Sequence, residues 1–194
     1  KEQQQYAHQV ILDHELADAQ QATLLPEVES AILALQERGI PMAIVTRNCQ
    51  QATQIKVARN PLPIELILTR DDAPAKPDPS ALLHIAKHWE LQPQQLVYVG
   101  DYKYDIQAAH NASMHACLYA PQGVPDYGHQ ADFVIECFSE LPNLFDGADK
   151  WTHKGKEPLL ASQEVMLNRR VFLDYPIMLM IYKNMALAQL ALNC

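Results

Sequence analysis

Val97-Tyr98-Val99-Gly100-Asp101-Tyr102-Lys103-Tyr104-Asp105 is the stretch from which the rest of the chain can be read. A short apolar run ends in a glycine, which permits a sharp exit of the backbone and delivers Asp101 to the end of a strand. Asp105 follows four residues on, at the start of the next helix, so the two carboxylates can converge on one hard cation. Magnesium suits such a pair, because it takes oxygen ligands and usually keeps several waters that a substrate can replace. Asp105 can also simply cap its own helix.

Upstream, Met42-Ala43-Ile44-Val45-Thr46-Arg47-Asn48 has the same plan, an apolar strand with a polar ending. The Thr46 hydroxyl and the backbone N–H groups of this turn could hold phosphoryl oxygens, with Arg47 and Asn48 as substrate-binding neighbours. A plainer use of Thr46 is to cap the helix from Cys49, and the two uses are compatible. Between the two strands lies Pro74-Ala75-Lys76-Pro77-Asp78-Pro79-Ser80, where three prolines restrict φ and present Lys76 on a stiff loop. Asp78 or Ser80 is placed to cap the helix that begins near Pro79. Phosphoryl transfer asks a protein chiefly for charge neutralisation and for orientation of the non-bridging oxygens. A hydroxyl, an ammonium and two carboxylates at strand ends meet that demand.

The remaining chain alternates in the same way. Apolar runs at 42–45, 64–68, 96–99, 116–119 and 133–135 read as strands, and about 50–59, 79–89, 104–111 and 139–145 read as helices. Two helices precede them: about 4–22, with Val10, Ile11, His14 and Ala17 near one face, and a second opened by Pro26 and stopped by Gly39. Strands apolar on both faces and separated by helices predict an α/β fold, a parallel sheet with helices packed on each side. Ligands in such sheets bind beyond the carboxyl ends of the strands, where Thr46 and Asp101 fall.

With 194 residues, 48% of them hydrophobic, the chain can bury one good core. A formal net charge of −8 leaves no broad basic surface for a nucleic-acid backbone or an anionic membrane, so a small-molecule partner is expected. Cys49, Cys117, Cys137 and Cys194 are far apart and form no CxxC pair, which suggests reduced thiols and a cytoplasmic location. The opening Lys1-Glu2-Gln3-Gln4-Gln5 leads into no apolar signal core. The apolar stretch 171–192 is broken by Asp174, Pro176, Lys183, Asn184 and Gln189, too many polar groups for an ordinary spanning helix. His84 and His88 stand four apart but lack HExxH or a third ligand, so a helix surface or core packing is their expected use.

In order and spacing, Thr46 after an apolar strand, Lys76-Pro77 some thirty residues later, and Gly100-Asp101 with Asp105 resemble the haloacid dehalogenase-like (HAD) superfamily, especially its phosphoglycolate-phosphatase-like hydrolases. The resemblance covers about 25–145. It implies a Rossmann-like parallel sheet, catalytic roles for Thr46 (binding phosphoryl oxygen) and Lys76 (steadying an aspartyl-phosphate), and Mg²⁺ held by Asp101, with Asp105 directly or through water. It implies three segments: 1–25 as the end of a small helical cap, 26–145 as the core, and 146–194 as an extension of no assigned role. Ser113 stands where relatives usually have glycine.

The larger departure is the first motif, DxDGT, which in relatives supplies the nucleophilic and acid/base aspartates on the first strand. No such string occurs in the chain. Asp13, in Val10-Ile11-Leu12-Asp13-His14-Glu15, lacks the Gly-Thr turn and lies in a helical pattern; Asp174, after Phe172-Leu173, lacks a second carboxylate. The simplest expectation is an incomplete chain without its first strand, with unpaired sheet edges and poor solubility. The function implied is a Mg²⁺-dependent phosphatase acting on a small phosphorylated metabolite through an aspartyl-phosphate. The alternative is a non-catalytic phosphate- and metal-binding regulatory domain that has lost its nucleophile. A dehalogenase would not need the Asp101/Asp105 pair, and a response-regulator receiver would need an acidic cluster near the N-terminus that is not evident here.

Overall fold

The computed structural model describes residues 2–145 and the strand 177–179. In chain order the elements are α1 (Glu2–Ala19), α2 (Val28–Glu37), β1 (Met42–Val45), α3 (Gln50–Arg59), β2 (Leu66–Leu68), α4 (Ser80–His88), β3 (Val97–Gly100), α5 (Lys103–Asn111), β4 (His115–Tyr119), β5 (Phe133–Ile135) and β6 (Ile177–Leu179). The strands form one sheet in the order β2-β1-β6-β3-β4-β5, and every pair is parallel. The expected α/β architecture is the one observed.

Alternation along the strands explains why both faces are covered. Ile44, Val97, Val99 and Cys117 point to one side, where Val28, Ile32 and Leu35 of α2 meet them together with Phe138, Leu141 and Phe145. Ala43, Val45, Tyr98, Ala116 and Leu118 point to the other side, against Leu82 and Ile85 of α4 and Ile106 and Ala109 of α5. Every residue of β1 and β3 is buried, which accounts for their near-continuous apolar reading.

Several local expectations are corrected. The segment Phe138–Phe145 forms a 3₁₀ helix with Pro142 inside it; proline removes an amide donor and blocks the regular α-helical ladder. Helix α2 begins at Val28, two residues after Pro26, with Glu27 at φ 64°, while Gly39 at φ 69° ends it as its sequence implied. Helix α1 buries a different face from the one expected. Ile11 is 51% exposed, and the inward side is made by Glu15 and Ala19 with Leu12 and Leu16 half-buried. A buried glutamate escapes any hydrophobic pattern, because what buries it is a polar partner on another element.

The expectation of a sheet lacking its central strand is also corrected. Strand β6, from the C-terminal extension, lies between β1 and β3 and pairs with both, Ile44 and Val99 each opposite Leu179. The inner edges of β1 and β3 are therefore hydrogen-bonded. A lone apolar run far from the β-α alternation carries no signal of where in a sheet it inserts. No helix among the described residues is long and apolar enough to cross a membrane.

Candidate functional site

Register sets the frame of the site. Ile44 and Val99 are level with the same residue of β6, so Thr46 and Asp101, each two positions further, are level with one another at the carboxyl edge. One strand intervenes, which puts their backbones about 10 Å apart, two inter-strand spacings.

Thr46 is 4% exposed. Its N–H donates to the Leu68 carbonyl at 2.9 Å, and its Oγ1 accepts from the Asn48 N–H at 3.1 Å and from Asn48 Nδ2 at 3.0 Å. With both acceptor positions of the oxygen taken, the hydroxyl proton is the group that remains to be donated. Asn48 is itself buried, and among the described residues its Oδ1 has no hydrogen-bond partner. Thr46 does not cap α3. That place belongs to Cys49, whose thiol accepts from the Ala52 N–H at 3.4 Å.

The backbone amides of this turn are more committed than the sequence suggested. The Asn48 N–H serves Thr46, the Cys49 N–H donates to Glu15 Oε2 at 3.0 Å, and the Gln50 N–H donates to Asp71 Oδ2 at 2.8 Å. Two of the chain's own carboxylates thus face the positive end of α3. Three amides of this turn are thus committed within the chain, and the Thr46 hydroxyl and the exposed Arg47 side chain stand beside them.

The principal cation is Lys76, 8% exposed, which follows β2 and precedes the cis Lys76-Pro77 bond. Its ammonium donates to Asp105 Oδ1 at 2.7 Å and to the Tyr98 hydroxyl at 3.1 Å. Burial pulls the Lys76 pKa below its ordinary value, opposed by the neighbouring Asp105; Arg47 pushes it further down, and Asp101 raises it. Of the six residues singled out from sequence, Arg47, Asp101 and Asp105 thus all act electrostatically on a fourth, Lys76. Burial and the same two aspartates push the Tyr98 phenol well above its ordinary range. The N-cap of α4 is Pro79 rather than Asp78 or Ser80; Asp78, one residue earlier, accepts from the Ser80 N–H at 2.9 Å.

Asp105 is 4% exposed, and its second oxygen accepts from the Tyr102 N–H at 3.0 Å. The capping and charge-pairing uses of this carboxylate therefore coexist. Gly100 makes the arrangement possible: a Cβ there would stand 2.2 Å from Asp105 Cβ, so only glycine lets α5 start this close to β3.

The donor set fits magnesium. Among the described residues no group of three or more His, Cys, Asp and Glu side chains could cage a metal, whereas magnesium is commonly held through one or two carboxylates with waters completing its shell. Both Asp105 oxygens have partners within the chain, Lys76 on one and the Tyr102 N–H on the other. His84 and His88 are exposed on α4, away from any such cluster. Asp13 is exposed on helix α1, its Oδ1 accepting from Gln9 Nε2 at 2.8 Å; a helix surface is the wrong place for a nucleophile of this sheet edge. Asp174 lies outside the described residues.

Arg70, Asp71 and Tyr98 were not singled out from sequence, and Glu15 was named only beside Asp13 on the N-terminal helix. For Tyr98 a signal existed, since a phenol in an otherwise aliphatic buried strand needs a polar partner. The others are joined only by tertiary structure.

The family model described as Haloacid dehalogenase-like hydrolase matches residues 1–119. A haloacid dehalogenase-like hydrolase domain-containing protein of Arabidopsis thaliana is 31% identical over 152 residues, 75% of this chain and 62% of that protein. A phosphoglycolate phosphatase of Nitrosospira multiformis is 30% identical over 125 residues, 62% of this chain and 53% of that protein. The chain thus spans between about half and three fifths of the length of these curated relatives. Among solved structures, a HAD phosphatase from Thermococcus onnurineus superposes with a TM-score of 0.57 at 27% identity, covering 62% of this chain and 57% of that one.

Proposed function

The chain belongs to the haloacid dehalogenase-like hydrolase family, and from that premise we propose that it is part of a Mg²⁺-dependent phosphatase that acts on a small phosphorylated metabolite through an aspartyl-phosphate. The observation that carries this reading is the buried contact of Lys76 with Asp105 beside Asp101, on the same sheet edge as the Thr46 hydroxyl. Relatives named phosphoglycolate phosphatase support a small phosphorylated substrate.

In this account the Thr46 hydroxyl proton is donated to a non-bridging phosphoryl oxygen. The Lys76 ammonium offsets the negative charge where a carboxylate and a phosphoryl group meet, and its pairing with Asp105 fixes its position. Asp101 would hold the cation, with Asp105 directly or through water, and magnesium would supply Lewis-acid polarisation of the phosphoryl group. Exposed Arg47, with Asn48 beside it, meets a further anionic or polar group on the substrate. The nucleophilic aspartate is placed outside these 194 residues, since no DxDGT occurs in them. The buried thiols of Cys49 and Cys117 suit the reducing cytoplasm.

The test is orthophosphate release from phosphoglycolate and other two- to four-carbon phosphate monoesters, with Mg²⁺ and with EDTA, by the longest natural protein that contains this chain. Release that stops with EDTA and in Asp101→Asn is expected; release indifferent to both would overturn the reading. A second reading, a phosphate- and metal-binding regulatory domain, is favoured by one observation. The central strand between Thr46 and Asp101 is β6, Ile177-Met178-Leu179, with no carboxylate in it. Mg²⁺ and phosphate binding without turnover in the natural protein would select it.

A further inference from the structure

The turn that carries Thr46 is gripped by a closed ring of contacts reaching back to α1. Arg70 donates its N–H to the Asn48 carbonyl at 3.2 Å, Cys49 donates its N–H to Glu15 Oε2 at 3.0 Å, and the Arg70 guanidinium is paired with Glu15 Oε1. The Asn48 carbonyl and the Cys49 N–H are the two poles of one peptide unit. Fixing both prevents rotation of that unit and so fixes how Asn48 presents its own N–H and Nδ2 to Thr46 Oγ1. Those two bonds in turn decide where the Thr46 hydroxyl proton is aimed.

A carboxylate as buried as Glu15, at 6% exposure, is costly unless paired and hydrogen-bonded. Docking of α1 on α3 does not require it. Asp18 pairs with Lys56 at 2.6 Å, Asn60 Nδ2 donates to the Ala22 carbonyl at 3.0 Å, and Ala19 packs with Cys49 and Ala52. We propose that Glu15 is a positioning residue for the 46–49 turn, so that affinity for phosphoryl oxygens depends on its contacts with the Cys49 N–H and Arg70. The proposal rests on the reading of Thr46 as a phosphoryl-binding residue.

The test uses the full 194-residue chain with Glu15→Ala, Glu15→Gln and, as a control that loosens the packing of α1 while removing none of the ring's hydrogen bonds, Leu16→Ala. Amide hydrogen exchange at Cys49 and orthophosphate affinity in Mg²⁺ by calorimetry are read together. Glu15→Ala is expected to speed exchange at Cys49 by about tenfold relative to the interior of α3, and to weaken orthophosphate by about tenfold, the scale of a lost charge-assisted hydrogen bond. Glu15→Gln, which keeps an acceptor for the Cys49 N–H, should fall between, and Leu16→Ala should lower the melting temperature alone. Equal effects of Glu15→Ala and Leu16→Ala on both readouts would overturn the proposal. If the wild-type chain takes up no orthophosphate, the phosphoryl reading of Thr46 fails, and exchange at Cys49 by itself decides whether Glu15 fixes the turn.

Discussion

Gly100 shows how little space separates the parts of this site. Its missing side chain is what allows Asp105 to approach β3 and reach Lys76 at 2.7 Å. Gly100→Ala is therefore expected to lose about 1–3 kcal/mol of stability through overpacking against a backbone-proximal atom, and to lose Mg²⁺ binding as well. Urea unfolding and a Mg²⁺ titration of the same variant check both; an unchanged titration would separate Gly100 from the site. His115, at the start of β4, gives a pH-dependent prediction. Burial lowers its pKa from the ordinary 6.5, partly offset by Asp132 and a backbone hydrogen bond to Gln94, with His110 lowering it slightly. The fold thus prefers the neutral imidazole, and the unfolded chain takes the proton more readily. Its stabilising effect is complete above the unfolded pKa and declines as pH falls through 6.5 toward the lower folded value. Denaturant midpoints at pH 7.5 and 5.5 should show that decline, reduced in His115→Gln. At this scale the sequence was most informative about placement: Thr46 and Gly100-Asp101 at strand ends and Lys76-Pro77 in a proline-rich loop were legible from the apolar runs and prolines beside them. Glu15 and Arg70 were not, because a buried carboxylate is defined by a partner fifty-five positions away.

The elements divide in the same way. Strands β1 and β3, with both faces buried, were plain from their uninterrupted apolar runs, and the helices between them from their spacing. Helix α1 was found, but its buried face was misjudged, since Glu15 rather than Ile11 turns inward. Strand β6 was missed altogether: three apolar residues without flanking motifs do not disclose their neighbours. The turn after α5 offers a test at this scale. Ser113 adopts φ 59°, a left-handed conformation that costs an L-residue roughly 1–2 kcal/mol. Ser113→Gly should raise stability by about 1 kcal/mol after the greater chain entropy of glycine is set against that strain. Thermal denaturation measures it, and a lower melting temperature would mean that the turn carries no strain.

In the whole molecule, one parallel sheet brings to a single edge groups from three separate stretches of sequence. Two strand ends supply Thr46 and Asp101, a loop supplies Lys76, and the first turn of α5 supplies Asp105. The arrangement follows from topology: the strands flanking the centre end in Thr46 and Asp101, and the strand between them is β6. What the sequence could convey was the set of groups and their order; the level register of Thr46 and Asp101, and the grip of α1 on their turn, are properties of the folded chain. We propose that these four residues form one phosphate and magnesium site. The most direct test is a crystal structure of the chain grown with Mg²⁺ and orthophosphate. The account predicts the cation on the Asp101 carboxylate and phosphate oxygens on Thr46 Oγ1 and Lys76 Nζ. A cation elsewhere, or phosphate that avoids both Thr46 and Lys76, would contradict it.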